Sequence, residues 1–203
     1  MAESKSQEKA GKSGKKRRVA WGITGSGDKI VETVEVMKRL RQEYLDRVNV
    51  SVYMSKAGAQ VARYYKLSDE LSSVFGKVSV EVDSNSPFLA GALQHGDFEF
   101  LLVAPATSNT VAKVSLGIAD TLLSNASIMA LKAFIPVYVM PSDYREGVTV
   151  TVLPNGQRMR LRIRREDVAN VRRLANMEGV SLIEKPEDIS QVFKKHFGTD
   201  KKT

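Results

Sequence analysis

From Val19 onward, short runs of β-branched and aromatic residues alternate with amphipathic segments whose apolar positions recur every three or four residues. Six of the short runs predict strands, at residues 19–24, 48–54, 78–82, 98–104, 135–140 and 180–183. Between the first two, apolar residues from Val34 to Leu45 follow helical spacing, so a helix returns the chain to the sheet. This alternation predicts an α/β fold with a doubly wound, mostly parallel, Rossmann-like sheet covered by helices on both faces.

One segment interrupts the alternation of strands and helices. Residues 148–153 and 157–164 are both β-prone and flank the turn sequence Pro154-Asn155-Gly156. We therefore predict an inserted β-hairpin, occupying residues 148–164, between the fifth strand and a helix that starts near Glu166.

The second strand of this hairpin carries an arginine at every other position. Period-two alternation predicts that these four guanidinium groups share one face: Arg158, Arg160, Arg162 and Arg164. The first strand offers no matching carboxylates, since its alternate positions are Thr149 and Thr151. A solvated outer face is the ordinary interpretation. The alternative is an external anion, supplied by an acidic electron carrier, by a substrate or by a neighbouring subunit.

The net charge of +8 belongs to the two ends of the 203-residue chain. Residues 1–18 carry +5 and residues 194–203 carry +3, so residues 19–193 are neutral. We predict a disordered basic extension at 1–18, one folded domain at 19–193 and a basic C-terminal tail at 194–203. Because the folded part is neutral, a nucleic-acid-binding face is not expected.

The chain contains no cysteine. This excludes disulfides, thiolate metal sites, iron–sulfur clusters held by this chain and a cysteine nucleophile, and no metal site is predicted. No apolar stretch approaches the roughly 20 residues that cross a bilayer, and the first residues lack the apolar segment of a secretory signal. We therefore expect a cytoplasmic protein without membrane segments.

The first predicted strand ends in a glycine-rich loop, Gly22-Ile23-Thr24-Gly25-Ser26-Gly27, directly before a helix. Backbone amides at such a helix start can hold a phosphate, although a glycine-rich turn without a ligand explains the residues equally well. A nucleoside triphosphate loop is disfavoured because Asp28 stands where that loop requires Lys. A dinucleotide site is disfavoured because Ile30 replaces its third glycine and the second strand ends at Ser55 instead of a carboxylate. What remains is a mononucleotide phosphate, with the Ser55 hydroxyl nearby.

The fourth predicted strand runs into a loop of small, hydroxyl and amide side chains, Ala104-Pro105-Ala106-Thr107-Ser108-Asn109-Thr110. Open α/β sheets bind ligands at this edge. Small residues let a flat ring approach the backbone, and Asn109 offers both a donor and acceptors to a heterocycle. Helix capping by Ser108 or Asn109 is an alternative that is compatible with ligand binding. The next segment, residues 111–124, predicts one helix.

Together these motifs resemble the FMN-binding superfamily of homo-oligomeric flavin-containing cysteine decarboxylases. The second loop is the more specific motif, with its continuation through Val111-Ala112-Lys113 and Gly117-Ile118-Ala119-Asp120-Thr121-Leu122-Leu123. The opening Ala20-Trp21-Gly22-Ile23-Thr24-Gly25 is most similar to the archaeoflavoprotein and dihydromethanopterin reductase branch. The resemblance covers roughly residues 19–190 and implies a flavoprotein-type fold, an FMN cofactor and a homo-oligomer.

The resemblance also implies which residues bind the cofactor. Gly25, Ser26, Gly27 and Ser55 would hold the FMN phosphate, while Ala106, Thr107 and Asn109 would lie against the isoalloxazine. Thr24 and Ser108 belong to the same two loops and complete the candidate set. The helix at 111–124 and the loop before it are expected at a contact between subunits.

The sequence departs from the decarboxylating members of this superfamily. Those members use a histidine ahead of the fourth strand and a cysteine in a later segment, and this chain has no cysteine. His95 is followed by Gly96-Asp97, which is typical of a helix end, and His196 falls in the predicted tail. The arginine-rich hairpin stands where the decarboxylases place a flap. No catalytic residue is therefore assigned.

What remains is electron transfer through a bound flavin. The resemblance implies an FMN-dependent oxidoreductase that accepts electrons from a ferredoxin-like carrier and, in one branch, reduces a pterin such as dihydromethanopterin. Two alternatives stay open. One is an FMN-dependent decarboxylase or flavin-modifying member of the superfamily, and the other is a non-enzymatic flavin-binding oligomer.

Overall fold

The computed structural model describes residues 16–198 and is built around a six-stranded sheet in which every neighbouring pair of strands is parallel. The strands in chain order are β1 (Arg17–Ile23), β2 (Val48–Met54), β3 (Val78–Val80), β4 (Phe100–Ala106), β5 (Val137–Pro141), β6 (Gly147–Val152), β7 (Arg158–Ile163) and β8 (Val180–Leu182). The order across the sheet is β3-β2-β1-β4-β5-β8, and β6 and β7 form a separate antiparallel ribbon. The predicted α/β fold with an inserted hairpin is therefore confirmed.

Helices cover both faces of the sheet because both faces of its central strands are apolar. The helices are α1 (Ile30–Glu43), α2 (Lys56–Tyr64), α3 (Ser68–Phe75), α4 (Leu89–Gln94), α5 (Ser108–Ser115), α6 (Leu122–Lys132), α7 (Arg165–Ala175) and α8 (Ile189–Phe197). Alternate residues of β4 enter opposite cores: Phe100 and Leu102 pack with α1 and α8, while Leu101 and Val103 pack with α5 and α6. In the part of the chain that is described, no helix is long and apolar enough to cross a bilayer.

The predicted single helix at 111–124 is wrong, because the chain forms two helices there. Helix α5 ends at Ser115, and Gly117 follows with a left-handed φ of 74°. The second helix starts after Thr121, whose hydroxyl accepts from Ser124 N while the Ser124 hydroxyl accepts from Thr121 N. A glycine just past a helix end and a capping pair at the next start are sufficient to separate the two.

Both predicted chain ends need correction. Strand β1 begins at Arg17, inside the predicted extension, and its guanidinium forms an ion pair with Glu99. Helix α8 runs to Phe197, so residues 194–197 belong to the domain and not to a tail. The reason is that Phe193 and Phe197 are buried in the core, while the two intervening lysines lie on the exposed side. Residues 1–15 and 199–203 of the predicted extension and tail lie outside the described residues.

Candidate cofactor site

The carboxyl ends of β1 and β4 meet at the point where the strand order reverses, which is where open α/β sheets bind ligands. Thr24 joins the loops that follow these two strands. Its hydroxyl donates to the Pro105 carbonyl and accepts from the Thr107 amide, both at 2.8 Å. Because Thr24 is 1% exposed and its hydroxyl is already bonded on both sides, its contribution is to hold the two loops together.

A cavity of about 330 Å³ lies between these loops, the end of α2 and the β6–β7 ribbon. Its volume falls in the range of small-molecule sites. The lining residues are Gly25, Ser26, Gly27, Asp28, Val61, Tyr64, Tyr65, Thr107, Ser108, Ser142, Asp143, Thr149, Thr151, Leu153, Met159 and Leu161. The structure thus brings five of the predicted cofactor residues into one cavity: Gly25, Ser26, Gly27, Thr107 and Ser108.

The amides of Gly25, Ser26, Gly27 and Asp28 make no hydrogen bond to any described residue. They stand immediately before α1, a helix of 14 residues whose dipole favours negative charge at this end. Unpaired amides at a helix start are the usual donor set for a phosphate. The geometry therefore fits the phosphate-loop interpretation of these residues better than that of a turn without a ligand.

Gly25 is required here because the loop packs closely against the start of α2, whereas Gly27 lies against the end of the Tyr65 side chain. A Cβ on Gly25 would lie 2.6 Å from the Cβ of Ala57, and one on Gly27 would lie 2.6 Å from the Tyr65 hydroxyl. Both distances are shorter than a non-bonded contact allows. The requirement at Gly25 is one of space and not of backbone conformation, since neither glycine has a positive φ.

Ser55 caps α2 and does not line the cavity. Its hydroxyl accepts from the Gly58 amide at 2.9 Å. The next amide, Lys56 N, donates to the Glu81 carboxylate at 3.1 Å, and the same carboxylate accepts from Leu122 N at 2.8 Å. Glu81 thereby joins the starts of α2 and α6. The contact of Ser55 with a phosphate stays a prediction, for which the hydroxyl proton remains as a donor.

The cap of α5 is Thr107, one residue before the predicted positions. Its hydroxyl accepts from Thr110 N at 3.3 Å, so the predicted capping by Ser108 or Asn109 is not what the structure shows. Asn109 is exposed and does not line the cavity within one chain. Ala106 is buried behind the cavity wall, where its carbonyl accepts from Ser142 N at 2.9 Å.

Sequence reasoning missed Ser142 and Asp143, which follow β5. The Ser142 hydroxyl lies 2.6 Å from that of Ser26, and the Ser108 hydroxyl donates to the Asp143 carboxylate. Ser142 thus contacts the first predicted loop, and Asp143 contacts the second. The signal that could have found them is their position, because the end of β5 lies at the same edge of the sheet as the ends of β1 and β4.

The cavity is acidic. Asp28 and Asp143 line it, and no lysine or arginine is among the described residues that do so. Burial raises the pKa of Asp28, the positive charge of Lys29 opposes this increase, and Glu32 and Asp143 add to it. An anionic group in this cavity must therefore be held by amides and hydroxyls, away from the two carboxylates. Among residues 16–198, no cluster of histidine and carboxylate side chains has the geometry of a metal site.

The β6–β7 ribbon forms one wall of the cavity, a role that the sequence did not predict. The register pairs Thr149 with Leu161 and Thr151 with Met159, and these four side chains face the cavity. The Tyr65 hydroxyl donates to the Val152 carbonyl at 3.3 Å and ties the ribbon to the end of α2. Apolar ribbon residues and two tyrosines on one side, with hydroxyls and amides on the other, suit a flat ring that carries a phosphate.

The outer side of the ribbon differs from the predicted arrangement. Arg158, Arg160 and Arg162 lie opposite valines, not the threonines. Arg164 lies outside the ribbon, where it precedes α7 and forms an ion pair with Asp167 at 2.6 Å. The arginine face thus contains three guanidinium groups instead of four.

The sequence of this chain is similar to a family model and to curated proteins. Residues 6–195 match the family model named Flavoprotein. The chain is 47% identical over 184 residues to the uncharacterized protein MJ0730 of Methanocaldococcus jannaschii, covering 91% of this chain and 98% of that protein. It is 38% identical over 143 residues to the dihydromethanopterin reductase (acceptor) of the same organism. That match covers 68% of this chain and only 58% of the reductase.

Among solved structures, the chain is similar to Burkholderia xenovorans DmrB in complex with FMN, which is described as a cubic protein cage for redox transfer. The TM-score is 0.74 at 32% identity, and the match covers 88% of this chain and 94% of that chain. The family match and these relatives confirm the resemblance drawn from the two loop motifs. The chain therefore belongs to the Flavoprotein family.

Proposed function

We propose that this protein is an FMN-dependent oxidoreductase that accepts electrons from a ferredoxin-like carrier and reduces a pterin such as dihydromethanopterin. The observation that carries the proposal is the row of four amides from Gly25 to Asp28, which precede α1 and form no hydrogen bond with a described residue, beside a cavity with apolar and hydroxyl walls. The relationship to DmrB, whose structure contains FMN, and to dihydromethanopterin reductases supports it.

FMN supplies the redox chemistry, and the residues of this chain bind and orient it. The amides of the first loop and the Ser26 hydroxyl hold the phosphate, with Ser55 as a further donor. Thr107 and Ser108 line the cavity and would contact the isoalloxazine, whereas Ala106 lies behind the cavity wall. Thr24 fixes the distance between these two groups of contacts through its hydrogen bonds to Pro105 and Thr107. The chain has no cysteine to form a thioether to the flavin, and we expect binding to be noncovalent.

A pterin suits the acidic part of the cavity. Its aminopyrimidine ring presents several N–H donors, and an ionised carboxylate is an acceptor only. Asp28 forms no hydrogen bond or ion pair with another described residue, so its carboxylate is available to such a ring edge. A second anionic ligand would be repelled by Asp28 and Asp143.

We expect a homo-oligomer. Several large apolar side chains are exposed in the single chain, among them Val82, Phe88 and Phe134, with exposed fractions of 64%, 69% and 93%. Leu116 and Ile118, in the linker between α5 and α6, are also exposed, and Asn109 lies at the start of the same region. Contact between subunits there would bury this apolar surface and bring Asn109 towards a flavin. A monomer by light scattering, with flavin bound, would contradict this expectation.

The test is to purify the protein, release the cofactor by denaturation and identify it by mass. The holoprotein is then reduced anaerobically with ferredoxin and mixed with dihydromethanopterin, while flavin reoxidation and tetrahydromethanopterin formation are followed. We expect FMN, reduction by ferredoxin and reoxidation only when the pterin is present. FAD, absence of any flavin, or reduced flavin that the pterin does not reoxidise would contradict the proposal. Flavin that no carrier reduces would favour the non-enzymatic alternative.

The decarboxylase alternative has no supporting observation. His95 caps the carboxyl end of α4 and is exposed. It precedes β4 and therefore lies at the opposite edge of the sheet from the cavity. His196 is also distant, since it packs in α8 against Tyr138.

A further inference from the structure

The outer face of the β6–β7 ribbon combines arginines with valines. Its six members are paired by the strand register as Val148 with Arg162, Val150 with Arg160 and Val152 with Arg158. All six are exposed, and the three valines retain 42–57% of their accessible surface. We refer to these six residues as the arginine–valine face. Contiguous exposed apolar surface is a feature of interaction sites, and arginine is enriched in them.

Within residues 16–198, no group neutralises the charge of this face. In the part of the chain that is described, Arg158, Arg160 and Arg162 form no ion pair and no side-chain hydrogen bond. Two carboxylates, Glu146 and Glu166, lie near Arg162 in a surface groove at the open end of the ribbon but do not pair with it. Adjacent like charges repel one another, so an acidic partner would be attracted to the face.

The arginine–valine face and one wall of the cavity are the two sides of the same ribbon. Successive side chains of a strand point to opposite sides, so the ribbon that presents arginines and valines outward presents Thr151, Met159 and Leu161 to the cavity. A protein docked on the outer side is separated from the contents of the cavity by a single layer of backbone.

We infer that the arginine–valine face is the docking surface for an acidic electron-carrier protein that reduces the flavin in the cavity. This inference rests on the proposed function. A reduced one-electron carrier gives up one electron in each encounter, so two encounters and two protons from solvent reduce one FMN fully. The arginines steer the approach, and the valines provide apolar contact once the carrier has docked.

The test compares two double variants that remove the same charge from different surfaces. Arg160→Gln with Arg162→Gln changes the docking face. Arg39→Gln with Arg173→Gln is the control, because these two arginines are exposed on α1 and α7 and form no ion pair with a described residue. Each FMN-loaded protein is mixed anaerobically with a reduced acidic ferredoxin in a stopped-flow instrument, and the flavin absorbance gives the rate over a range of ionic strengths.

We expect the rate for the docking-face variant to fall by about tenfold at low ionic strength and to depend less on salt. The control should stay close to the parent protein, and all three rates should converge at high salt. Photoreduction with deazaflavin, which needs no protein docking, should be equal in all three proteins. If the first variant fails to retain FMN, the single variant Arg158→Gln, near the turn of the ribbon, is compared with the single variant Arg39→Gln.

Equal ferredoxin rates and salt dependence in all three proteins would overturn the inference. An equal loss in the control would do so too, since net charge and not the face would then govern the encounter. Light scattering would detect a third case, in which the docking-face variant loses its oligomeric state and the face is occupied by a second copy of the chain. A parent protein that binds FMN but is not reduced by ferredoxin at any salt concentration would refute the proposed donor itself.

Discussion

At the scale of single residues, the phosphate loop depends on contacts that leave no room for a methyl group. Gly25→Ala would place a Cβ 2.6 Å from the Cβ of Ala57, so either the loop or the start of α2 must move. Overpacking of this kind costs about 1–3 kcal/mol. We expect the shift to move the loop amides out of register with the phosphate, which should weaken FMN affinity by at least about tenfold, or about 1.4 kcal/mol. Fluorescence titration of the apoprotein with FMN measures this loss.

The chain offers a matched rescue for this variant. In the double variant Gly25→Ala with Ala57→Gly, the nearest remaining atoms of residue 57 lie at 3.4 and 3.5 Å, which are ordinary contacts. We expect the double variant to recover most of the FMN affinity, while Ala57→Gly alone should bind like the parent protein. If Gly25→Ala binds FMN normally, or if the second change restores nothing, the close approach to Ala57 is not what positions the loop.

Some residues of the site could be read from the sequence because their chemistry is local. Gly25, Ser26 and Gly27 follow a strand and precede a helix, and this context alone fixes where their amides point. Ser142 and Asp143 carry no such local signature, since a serine and an aspartate after a strand are common. Only the sheet order, which places the ends of β1, β4 and β5 side by side, makes them neighbours of Ser26 and Ser108.

At the scale of secondary structure elements, Glu81 connects two helices that are far apart in the chain. Its carboxylate accepts from Lys56 N at the start of α2 and from Leu122 N at the start of α6. Glu81→Ala removes both bonds, and hydrogen bonds to charged groups contribute about 1.5–3 kcal/mol each. We expect the free energy of unfolding to fall by about 2 kcal/mol, because solvent compensates part of the loss at this half-exposed site. Urea denaturation measures the change.

Glu178→Ala is the control for this prediction, because Glu178 is exposed and forms no hydrogen bond with a described residue. It should change the free energy of unfolding by less than about 0.5 kcal/mol. Similar values for the two variants would show that the shared carboxylate does not link α2 to α6.

The elements themselves were largely predictable, but their ends and faces were not. Hydrophobic periodicity identified all six strands of the sheet, since buried parallel strands are continuously apolar. The same periodicity ran through Leu116-Gly117-Ile118 and hid the break between α5 and α6. Alternation along β7 placed Arg158, Arg160 and Arg162 on one face, but it wrongly added Arg164, which lies outside the ribbon and pairs with Asp167. The residues opposite the arginines depended on the register, which the loop sequence alone did not fix.

At the scale of the whole molecule, the response to acid is expected to come from His196, at the edge of the sheet opposite the cavity. Its Nε2 lies 2.9 Å from the Tyr138 hydroxyl, and its ring lies 4.7 Å from that of Phe100. Burial lowers the pKa of His196, Lys195 and Arg17 lower it further, and Glu99 opposes them. The folded protein therefore binds a proton at this site less readily than the unfolded chain does.

The stabilisation from neutral His196 should accordingly be complete above the ordinary histidine pKa of about 6.5 and be lost as the pH falls below it. We expect His196→Gln to reduce the decrease in melting temperature between about pH 7.5 and pH 5. His95→Gln is the matched control, because His95 is the only other histidine and is exposed. If the pH profile of His196→Gln is parallel to that of the parent protein, His196 is not the responsible group.

The two hydrogen bonds of the Thr24 hydroxyl affect the entropy and the heat capacity change of FMN binding. Because its hydroxyl already bonds Pro105 and Thr107 in the chain alone, the loops after β1 and β4 are held in position before FMN arrives. Little backbone entropy then remains to be lost when the cofactor enters. The heat capacity change of binding should reflect only the apolar surface buried between the flavin and the cavity walls, without the larger negative term that accompanies coupled folding. We therefore expect FMN to bind a preformed site, without ordering of a flexible loop.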